Sequence, residues 1–382
     1  MTLPSLTIWQ SAEPQPAVAR VAIAGDFLPA GSLSLTERSW IASARGVQRI
    51  FDDVALTFLN LECPLDSEDL RVRPLDGIGA IVSASSQSLD YLQAIRCLPV
   101  GFANNHSYDH SAAGVARTSA ALARRNLVPL GAGRTLRDSP DVFVWRGAGN
   151  IRIGFWAAAR ASRDLATRRT EGVQPATIAR ARVAAAALKS QGAQFTVALL
   201  HAGCLRTNRA DPGDIALINS IASCGFNLAA ASHSHRISGG KMLRTQQQHP
   251  SFCFYGLGTI VSGYVASLPE REGIVVVAAF SAGGKLLSVE VLPVWLGESG
   301  FGEVPSSETA SMILDRFVSL TAEIADGSAA RHFYGDVSRG FFPLYARDVR
   351  ATYRQSGFAG LARKACRIRT GHLRRLLHGI TP

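Results

Sequence analysis

Paired cysteines and long apolar runs are the features that this 382-residue sequence most clearly lacks. Its six cysteines show no CxxC spacing in a chain long enough to bury a full core, so a disulfide framework is not expected. No stretch reaches the ~18 to 20 uninterrupted apolar residues of a membrane-spanning helix. The first residues also lack the basic segment and apolar run of a signal peptide. We therefore expect a cytoplasmic protein, with peripheral contact at the inner membrane left open.

Acidic residues are scarce relative to basic ones, and the C-terminal tail has none after Asp348. The excess gives a formal net charge of +11, which predicts affinity for polyphosphate, acidic polymer, nucleic acid or an anionic membrane. The tail residues predicted to bind an anionic surface or polymer are Arg363, Lys364, Arg367, Arg369, Arg374 and Arg375. The tail could equally be a solvated, disordered end, or a basic amphipathic helix suited to anionic lipid. No nucleic-acid-binding motif accompanies it, so specific nucleic-acid binding is not expected.

Apolar runs alternate with helix-like segments through most of the chain. The β-type runs, each followed by polar residues, are 21–24, 55–59, 99–103, 196–200 and 226–231. The alanine-rich, helix-like segments between them are 112–125, 177–189 and 214–223. This alternation predicts an α/β fold in which helices cover a sheet and ligand sites form beyond the C-terminal ends of its strands.

The downstream part of the chain changes character near residue 300. Residues 251–255, 273–280 and 286–293 are predicted strands, the last two joined by a turn at 281–284 into a hairpin. Residues 307–324 have helical spacing, and an irregular aromatic-rich stretch and the basic tail are expected after them. The predicted organisation is an N-terminal extension (1–18), a main domain (19–297) and a helical, basic C-terminal extension (298–382).

Metal-capable side chains follow five of the predicted strands. They are Asp26, Glu62, Asn105, His106, His201, His233 and His235. Carboxylate oxygen and imidazole nitrogen are the ligands of divalent metals, and catalytic sites draw them from several segments. The sequence therefore predicts a metal site where these strand ends meet.

Specific roles follow from the chemistry of two adjacent metals, which need a bridging carboxylate. Glu62 is the candidate bridge. Asp26 and His235 would hold one ion, and the other three predicted ligands, Asn105, His201 and His233, would hold the second. His106 would be free to act as general acid or to contact a substrate oxyanion.

Each residue alone also has a purely structural interpretation. Asp26 could cap a turn or helix, and Glu62 could be a solvated loop carboxylate. The Asn105-His106 pair could satisfy backbone groups in a turn, and His201 could be a hydrogen-bonded residue at a strand end. Five strand ends that each carry a metal-capable residue favour the metal site.

Five short motifs occur in a fixed order, namely Gly25-Asp26, Asn60-Leu61-Glu62, Asn104-Asn105-His106, His201 and His233-Ser234-His235. In order and spacing they resemble the CapA-type capsule-synthesis proteins, a family of the metallophosphoesterase-like superfamily linked to poly-γ-glutamate capsule biosynthesis. The resemblance covers about residues 19 to 297. It implies a four-layer α/β/β/α metallophosphatase-like sandwich with two divalent ions (Mn, Fe or Zn) bound by the residues named above.

The chain departs from the pattern of that family at three places. Cys204 stands near the position where the family usually has an acidic residue. Ala231 to His235 reads Ala-Ser-His-Ser-His where Gly-His-His-Pro-His is usual, and Thr259 follows Gly258 where asparagine is usual. Changes around the ligands affect metal affinity and turnover more than the fold.

Three functions remain open from the sequence. The first is a metal-dependent hydrolase of capsule or exopolysaccharide biosynthesis, acting on a phosphoester or on an amide of an anionic polymer. The second is a non-catalytic assembly factor that binds anionic polymer or biosynthetic partner proteins. The third is a binder of nucleic acid or a membrane surface that works through the basic tail.

Overall fold

The computed structural model describes residues 3–13, 15–33, 39–66, 81–160, 162, 164–244, 250–264 and 268–365. Its strands are β1 (Leu6–Gln10), β2 (Ala19–Leu28), β3 (Leu56–Leu61), β4 (Cys97–Gly101), β5 (Val128–Leu130), β6 (Ala132–Arg134), β7 (Val142–Arg146), β8 (Arg152–Ala159), β9 (Gly172–Val173), β10 (Phe195–His201), β11 (Leu228–Ser232), β12 (Gly240–Leu243), β13 (Ser251–Phe254), β14 (Thr259–Ser262), β15 (Glu272–Phe280), β16 (Leu286–Leu296) and β17 (Gly302–Glu303). Its α-helices are α1 (Trp40–Ala44), α2 (Gln48–Phe51), α3 (Leu89–Ala94), α4 (Ser111–Arg124), α5 (Ile178–Ser190), α6 (Pro212–Ala222), α7 (Ser307–Asp326) and α8 (Ser328–Ala365).

Two mixed sheets carry most of the strands. The first has the order β1-β16-β15-β2-β3-β4-β5, with β14 also paired to β2 and β17 to β16. Its strands β14, β2, β3, β4 and β5 run parallel. The second has the order β12-β13-β11-β10-β8-β7, with β8, β10, β11 and β13 parallel. The polar ends of β2, β3, β4, β10 and β11 can therefore gather at one edge of the two sheets.

Side-chain alternation along the strands builds four layers. On β2, Ala22 and Ala24 face a core shared with α1, α3 and α4, whereas Val21 and Ile23 face a core shared with the second sheet. On β10, Val197 and Leu199 pack in that same inter-sheet core. Ala198 and Leu200 point the other way, into a third core under α5 and α6. The resulting order is helices, sheet, sheet, helices, which is the predicted α/β/β/α sandwich.

Three helices start at residues that the sequence marks as caps. The hydroxyl of Thr177 accepts a hydrogen bond from the third residue of α5, and Ser306 does the same for α7. Asp211 caps α6, whose first residue, Pro212, fixes a helical φ and has no N–H to satisfy. These caps explain why α5, α6 and α7 begin within two residues of their predicted starts.

The predicted strands and the hairpin at 281–284 are confirmed, but the stretch after residue 324 is not irregular. It forms α8, which begins after Gly327 adopts a left-handed φ of 78° at the end of α7. The helical backbone of α8 is interrupted at Gly357, where φ is 58° and ψ is −154°. Phe333 and Val337, four residues apart, bury one face of α8 against Cys204. Glycines within α8 weaken helix propensity and hid this periodicity, so tertiary packing decides the structure there.

Segments outside the main predicted domain also contact it. Strand β1, from the predicted N-terminal extension, pairs antiparallel with β16. Strand β17 pairs with the other end of β16, and Ile313 and Phe317 of α7 pack into the inter-sheet core. Among the described residues, no helix combines the length and apolarity needed to cross a membrane.

Candidate metal centre

Asp26 is placed by an unusually close approach of two strands. A Cβ on the preceding residue, Gly25, would lie 2.0 Å from the carbonyl oxygen of Gly258, so only glycine fits there. The Asp26 N–H donates to that same carbonyl at 3.1 Å. The Asp26 carboxylate is fully buried, and its Oδ2 accepts a hydrogen bond of 2.9 Å from the His233 N–H.

Glu62 follows β3 directly and is 1% exposed. Its Oε1 lies 3.4 Å from His201 Nε2 and 4.0 Å from His233 Nδ1, while its Oε2 lies 3.7 Å from His235 Nδ1. Glu62 Oε2 makes no hydrogen bond to any described residue. A buried carboxylate oxygen without a donor is costly, and a metal ion would satisfy it.

His201 ends β10 and links two parts of the site. Its Nε2 lies 2.6 Å from the Asn105 amide oxygen. Its Nδ1 faces the other side of the site, 3.9 Å from Asp26 Oδ1 and 3.4 Å from the Ser232 hydroxyl. The ring is 1% exposed, so its orientation is fixed by these neighbours.

His233 and His235 lie in the loop after β11, where the backbone is strained. Their φ angles are 105° and 56°, values that non-glycine residues seldom adopt. Such strain persists where the surrounding structure imposes it, and it is typical of functional sites. The His233 ring lies 4.5 Å from that of His201, and His235 Nδ1 lies 3.3 Å from Asp26 Oδ2.

The charges in this cluster depend on one another. Burial alone would raise the pKa of Glu62, but His235 and His201 outweigh it and hold that pKa well below its ordinary value. Burial and the neighbouring His201 lower the pKa of His233 to about 4. Burial opposes protonation of His235 as well, yet Glu62 and Asp26 raise its pKa to about 9. An ionised carboxylate and a neutral imidazole are the forms that bind metals, so Glu62 and His233 are ready ligands.

The ligand atoms form two overlapping groups that suit divalent ions. Glu62, His201 and His233 form one, and Asp26, Glu62 and His235 form the other, with the atoms of each group within 4.8 Å of one another. Glu62 belongs to both, and His233 Nδ1, like Glu62 Oε2, has no hydrogen-bond partner among the described residues. Mixed carboxylate and imidazole donors fit Mn, Fe or Zn.

His106 lies beside the ligands and is held by a carboxylate of its own. Its Nδ1 donates to Asp109 Oδ2 at 2.7 Å, and the same oxygen accepts the Val82 N–H at 2.9 Å. Burial would lower the pKa of His106, but Asp109 outweighs it and raises that pKa. The arrangement leaves His106 Nε2 available for proton transfer.

The structure also places residues to which the sequence assigned no role. Asn60 donates to Asp26 Oδ1 at 2.7 Å, and its Nδ2 lies 3.3 Å from His201 Nδ1. Asn104 donates to the Asn60 amide oxygen at 3.1 Å and accepts the His106 N–H at 3.0 Å. Asn60 stands two residues before Glu62, and alternation along a strand puts both on one face, a signal that was present in the sequence.

Two of the departures from the family pattern have a structural counterpart. Thr259 Oγ1 lies 3.3 Å from His235 Nδ1, where it is placed to orient that ring. Cys204 is buried with Phe333 and Val337 of α8. An apolar contact with the C-terminal helix therefore occupies the region in which the family usually has an acid.

The anion-binding residues predicted in the tail lie at or beyond the end of the described part of the structure. Arg363 and Lys364 belong to the last turn of α8, and their side chains lie outside the described part of the structure. The remaining four, Arg367, Arg369, Arg374 and Arg375, lie outside the described residues altogether.

Several solved structures resemble the protein at low sequence identity. The NAD nucleotidase of Haemophilus influenzae is 12% identical with a TM-score of 0.41, and the match covers 79% of this chain and 56% of that one. The calcineurin-like phosphoesterase YfkN of Bacillus subtilis is 12% identical with a TM-score of 0.40, covering 81% and 99%. The 5'-nucleotidase of Candida albicans is 9% identical with a TM-score of 0.42, covering 85% and 60%. The chain thus spans little more than half the length of the first of these proteins.

Sequence comparison identifies the family more directly. No curated protein matches the chain. The family model of the bacterial capsule synthesis protein PGA_cap matches residues 20–264, which are more than half of the chain and include all seven predicted site residues. The resemblance inferred from the motifs is confirmed, and the chain belongs to the bacterial capsule synthesis protein family PGA_cap.

Proposed function

We propose that this protein is a metal-dependent hydrolase of capsule or exopolymer biosynthesis, acting on a phosphoester or polymer amide bond. The observation that carries the proposal is the double use of Glu62, whose Oε1 faces His201 and His233 while its Oε2 faces His235. A pair of divalent ions, when bound, would supply the Lewis acidity that hydrolysis requires. The chain's own residues would hold those ions, orient the substrate and move the proton.

The ligands divide into two sets around Glu62. Asp26 and His235 would hold one ion, and His201 and His233 the other, joined by the Asn105 amide oxygen. Asn60 fixes the Asp26 carboxylate by a 2.7 Å hydrogen bond, which leaves Oδ2 directed toward His235. Hydrogen bonds of this kind orient metal ligands and affect affinity strongly.

His106 is the proposed general acid. Asp109 accepts a hydrogen bond from Nδ1, so the proton to be donated to the leaving group is on Nε2. The raised pKa of His106 favours the protonated ring that an acid needs. Its side chain is 19% exposed, so a substrate can reach it from solvent.

A second function is favoured by the surroundings of Cys204. Since Cys204 packs against Phe333 and Val337 instead of supplying an acidic group, the centre could be retained for binding rather than for cleavage. The protein would then be a non-catalytic assembly factor that holds an anionic polymer or biosynthetic partner proteins. Activity measurements separate the two functions.

The test is hydrolysis of a generic phosphodiester by full-length protein in the presence of Mn²⁺. The hydrolase proposal predicts activity that falls at least 100-fold in a His233→Ala, His235→Ala variant. A His106→Asn variant should lose activity while keeping its metal, because His106 is outside both ligand groups. His332→Ala, on an exposed face of α8, is the matched control and should behave as wild type.

Three results would decide between the proposals. Activity that the double variant retains would contradict a hydrolase at this centre. Bound metal without activity on phosphodiesters or on γ-linked glutamate peptides would favour the assembly factor. Loss of activity in both the double variant and His106→Asn would support the proposed roles.

A further inference from the structure

An arginine-lined cavity of about 760 Å³ lies beside the metal centre. Its walls are the loop after β10, the loop after β11, and helices α7 and α8. The arginines that line it are Arg206, Arg209, Arg236, Arg316 and Arg339. The cavity adjoins the ligand loop directly, because Arg236 follows His235 and the Arg206 N–H donates to the Ser234 carbonyl at 3.2 Å.

Arg209 has a structural role in this wall. Its guanidinium forms a two-pronged pair with Glu323 of α7, at 2.5 and 2.7 Å, and a third contact of 2.7 Å with Asp336 of α8. Two carboxylates thus neutralise one cation and tie both helices to the loop after β10. Arg209 is therefore not available to a ligand.

Arg206 and Arg236 are in the opposite situation, because the two cations share one carboxylate. Glu270 Oε1 lies 3.1 Å from Arg206 Nε but 3.9 Å from Arg236 Nη2. The Arg236 side chain is only 18% exposed, and its Nε has no hydrogen-bond partner among the described residues. Within this trio two cations share one carboxylate. The other carboxylates that act on Arg236, Asp336 and Glu272, are each paired with another arginine.

A buried, incompletely paired guanidinium is costly unless an anion occupies the space before it. Arginine presents its N–H groups as a planar fork that matches phosphate and carboxylate oxygens. The cavity gives such an anion room and an open path to solvent. In a purely structural arginine each guanidinium nitrogen is expected to have a partner. All three nitrogens of Arg209 donate to a carboxylate, whereas Arg236 Nε has no hydrogen-bond partner among the described residues.

We propose that Arg206 and Arg236 form an anion subsite that binds a phosphate or carboxylate group beside the metal centre. If the centre is a hydrolase, as proposed above, the subsite implies a substrate with a second anionic group displaced from the scissile bond. The anion site itself does not depend on hydrolysis. Chain-like anionic substrates fit this arrangement, since one unit lies at the metals and the next at the arginines.

Isothermal titration of the full-length protein tests the proposal with two probes, inorganic pyrophosphate and a triglutamate peptide. Arg236→Gln should weaken binding of the preferred probe about tenfold or more, because a charge-assisted fork is lost. Arg236→Lys keeps the charge but loses the planar fork, so its affinity for the probe should lie between those of Arg236→Gln and wild type. Arg331→Gln, an exposed arginine of α8, is the matched control and should bind as wild type does.

Glu270→Gln gives an outcome that a structural role does not predict. Removing the shared carboxylate frees both guanidinium groups, so probe affinity should rise severalfold. Preference for pyrophosphate identifies a phosphate site, and preference for triglutamate identifies a carboxylate site. The proposal would be overturned if Arg236→Gln bound the probes as tightly as wild type does. It would also be overturned if wild type bound neither probe.

The same titrations in the His233→Ala, His235→Ala background separate this proposal from the hydrolase. Arg236→Gln should weaken probe binding in this background too, since Arg206 and Arg236 are in neither ligand group. An effect that disappears with the metal ligands would show that the probe binds at the metals, and would overturn a separate subsite. Absence of hydrolysis with the effect of Arg236→Gln intact would contradict only the proposed function.

Discussion

At the residue scale, the proposed hydrolysis would depend on how His106 is held. Asp109 contacts His106 Nδ1 at 2.7 Å and has a second anchor in the Val82 N–H, so it fixes both the tautomer and the direction of the ring. Asp109 belongs to neither ligand group. Its role is that of a positioning residue for the general acid.

Asp109→Asn should therefore lower kcat on the phosphodiester by roughly 10- to 100-fold, with KM changed little. An amide can still hydrogen-bond the ring but no longer favours its charged form. Metal content, measured in parallel, should equal that of wild type. Because both residues act through one proton transfer, adding Asp109→Asn to His106→Asn should have no further effect; an additive loss would contradict the pairing.

The ligand side chains could be predicted from sequence because polar residues that follow apolar runs mark the ends of parallel strands. Glu62 and His201 are of this kind, and Asp26 follows its apolar run within β2, two residues before the strand ends. The positive φ of His233 and His235 could not be predicted, since their loop contacts Asp26 in β2 and Glu62 after β3, over 170 positions away. Nor could the hydrogen bond from Asn60 to Asp26, which depends on strand register.

At the element scale, the approach of β2 to β14 is the most sensitive feature of the site. Gly25→Ala would place a methyl group 2.0 Å from the Gly258 carbonyl oxygen, and the strands would have to separate. We expect a loss of about 1–3 kcal/mol in the free energy of unfolding, as for other overpacked sites. Urea denaturation of Gly25→Ala and wild type measures this difference in the free energy of unfolding.

Bound metal should fall in the same variant, because Asp26 moves with its strand. Gly335→Ala on α8 is the matched control, since its added methyl would meet nothing closer than 3.7 Å. It should leave metal content unchanged and stability equal or slightly higher. Normal stability and metal content in Gly25→Ala would show that the strands tolerate a side chain there.

The attachment of α7 and α8 should depend on pH through Glu323. Its hydrogen bonds to Arg209 lower the pKa of Glu323 below its ordinary value. A carboxylate with a lowered pKa in the folded state adds stability above its unfolded pKa, and this stability is lost as pH falls through the folded value. Wild type should therefore lose stability on acidification below about pH 4.5, the unfolded value for glutamate.

Glu323→Gln should be less stable than wild type at pH 7, with a difference that shrinks toward pH 3. Urea midpoints at several pH values measure this. Glu308→Gln, an exposed residue in the first turn of α7, is the control. A difference independent of pH would mean that the Glu323 charge does not stabilise the attachment.

The strands and capped helices were predictable because each is specified locally, by an apolar run or by a cap such as Ser306. Helix α8 was not, since Phe333 and Val337 pack with Cys204, which lies far away in the sequence. The arginine cavity was equally hidden, because its walls come from four separate segments.

At the scale of the whole molecule, the end of α8 is the candidate contact with an anionic membrane. Tyr353 is 47% and Phe358 77% exposed, with their rings 5.2 Å apart, and the neighbouring Arg350 and Arg354 are also exposed. Gly357 interrupts the helical backbone between the two rings, so they come from successive helical segments that meet at this kink. Exposed aromatic and basic residues clustered in this way suit an anionic lipid surface.

We expect the full chain to co-sediment with vesicles rich in anionic lipid but not with neutral vesicles. Phe358→Ser should reduce the bound fraction severalfold, because the most exposed aromatic ring is removed. Met242→Ser, a 48% exposed apolar residue on β12, is the control. Equal sedimentation of wild type with both vesicle types would contradict a specific contact with anionic membranes.

The central claim is that Glu62 joins two groups of ligands into one metal centre. The most direct test is the metal content of full-length protein purified without chelator and supplied with Mn, Fe or Zn, compared with a Glu62→Gln variant. The account predicts two equivalents per chain in wild type and less than one in the variant, since both groups lose their shared carboxylate. Wild type without bound metal, or a variant that keeps two equivalents, would contradict it.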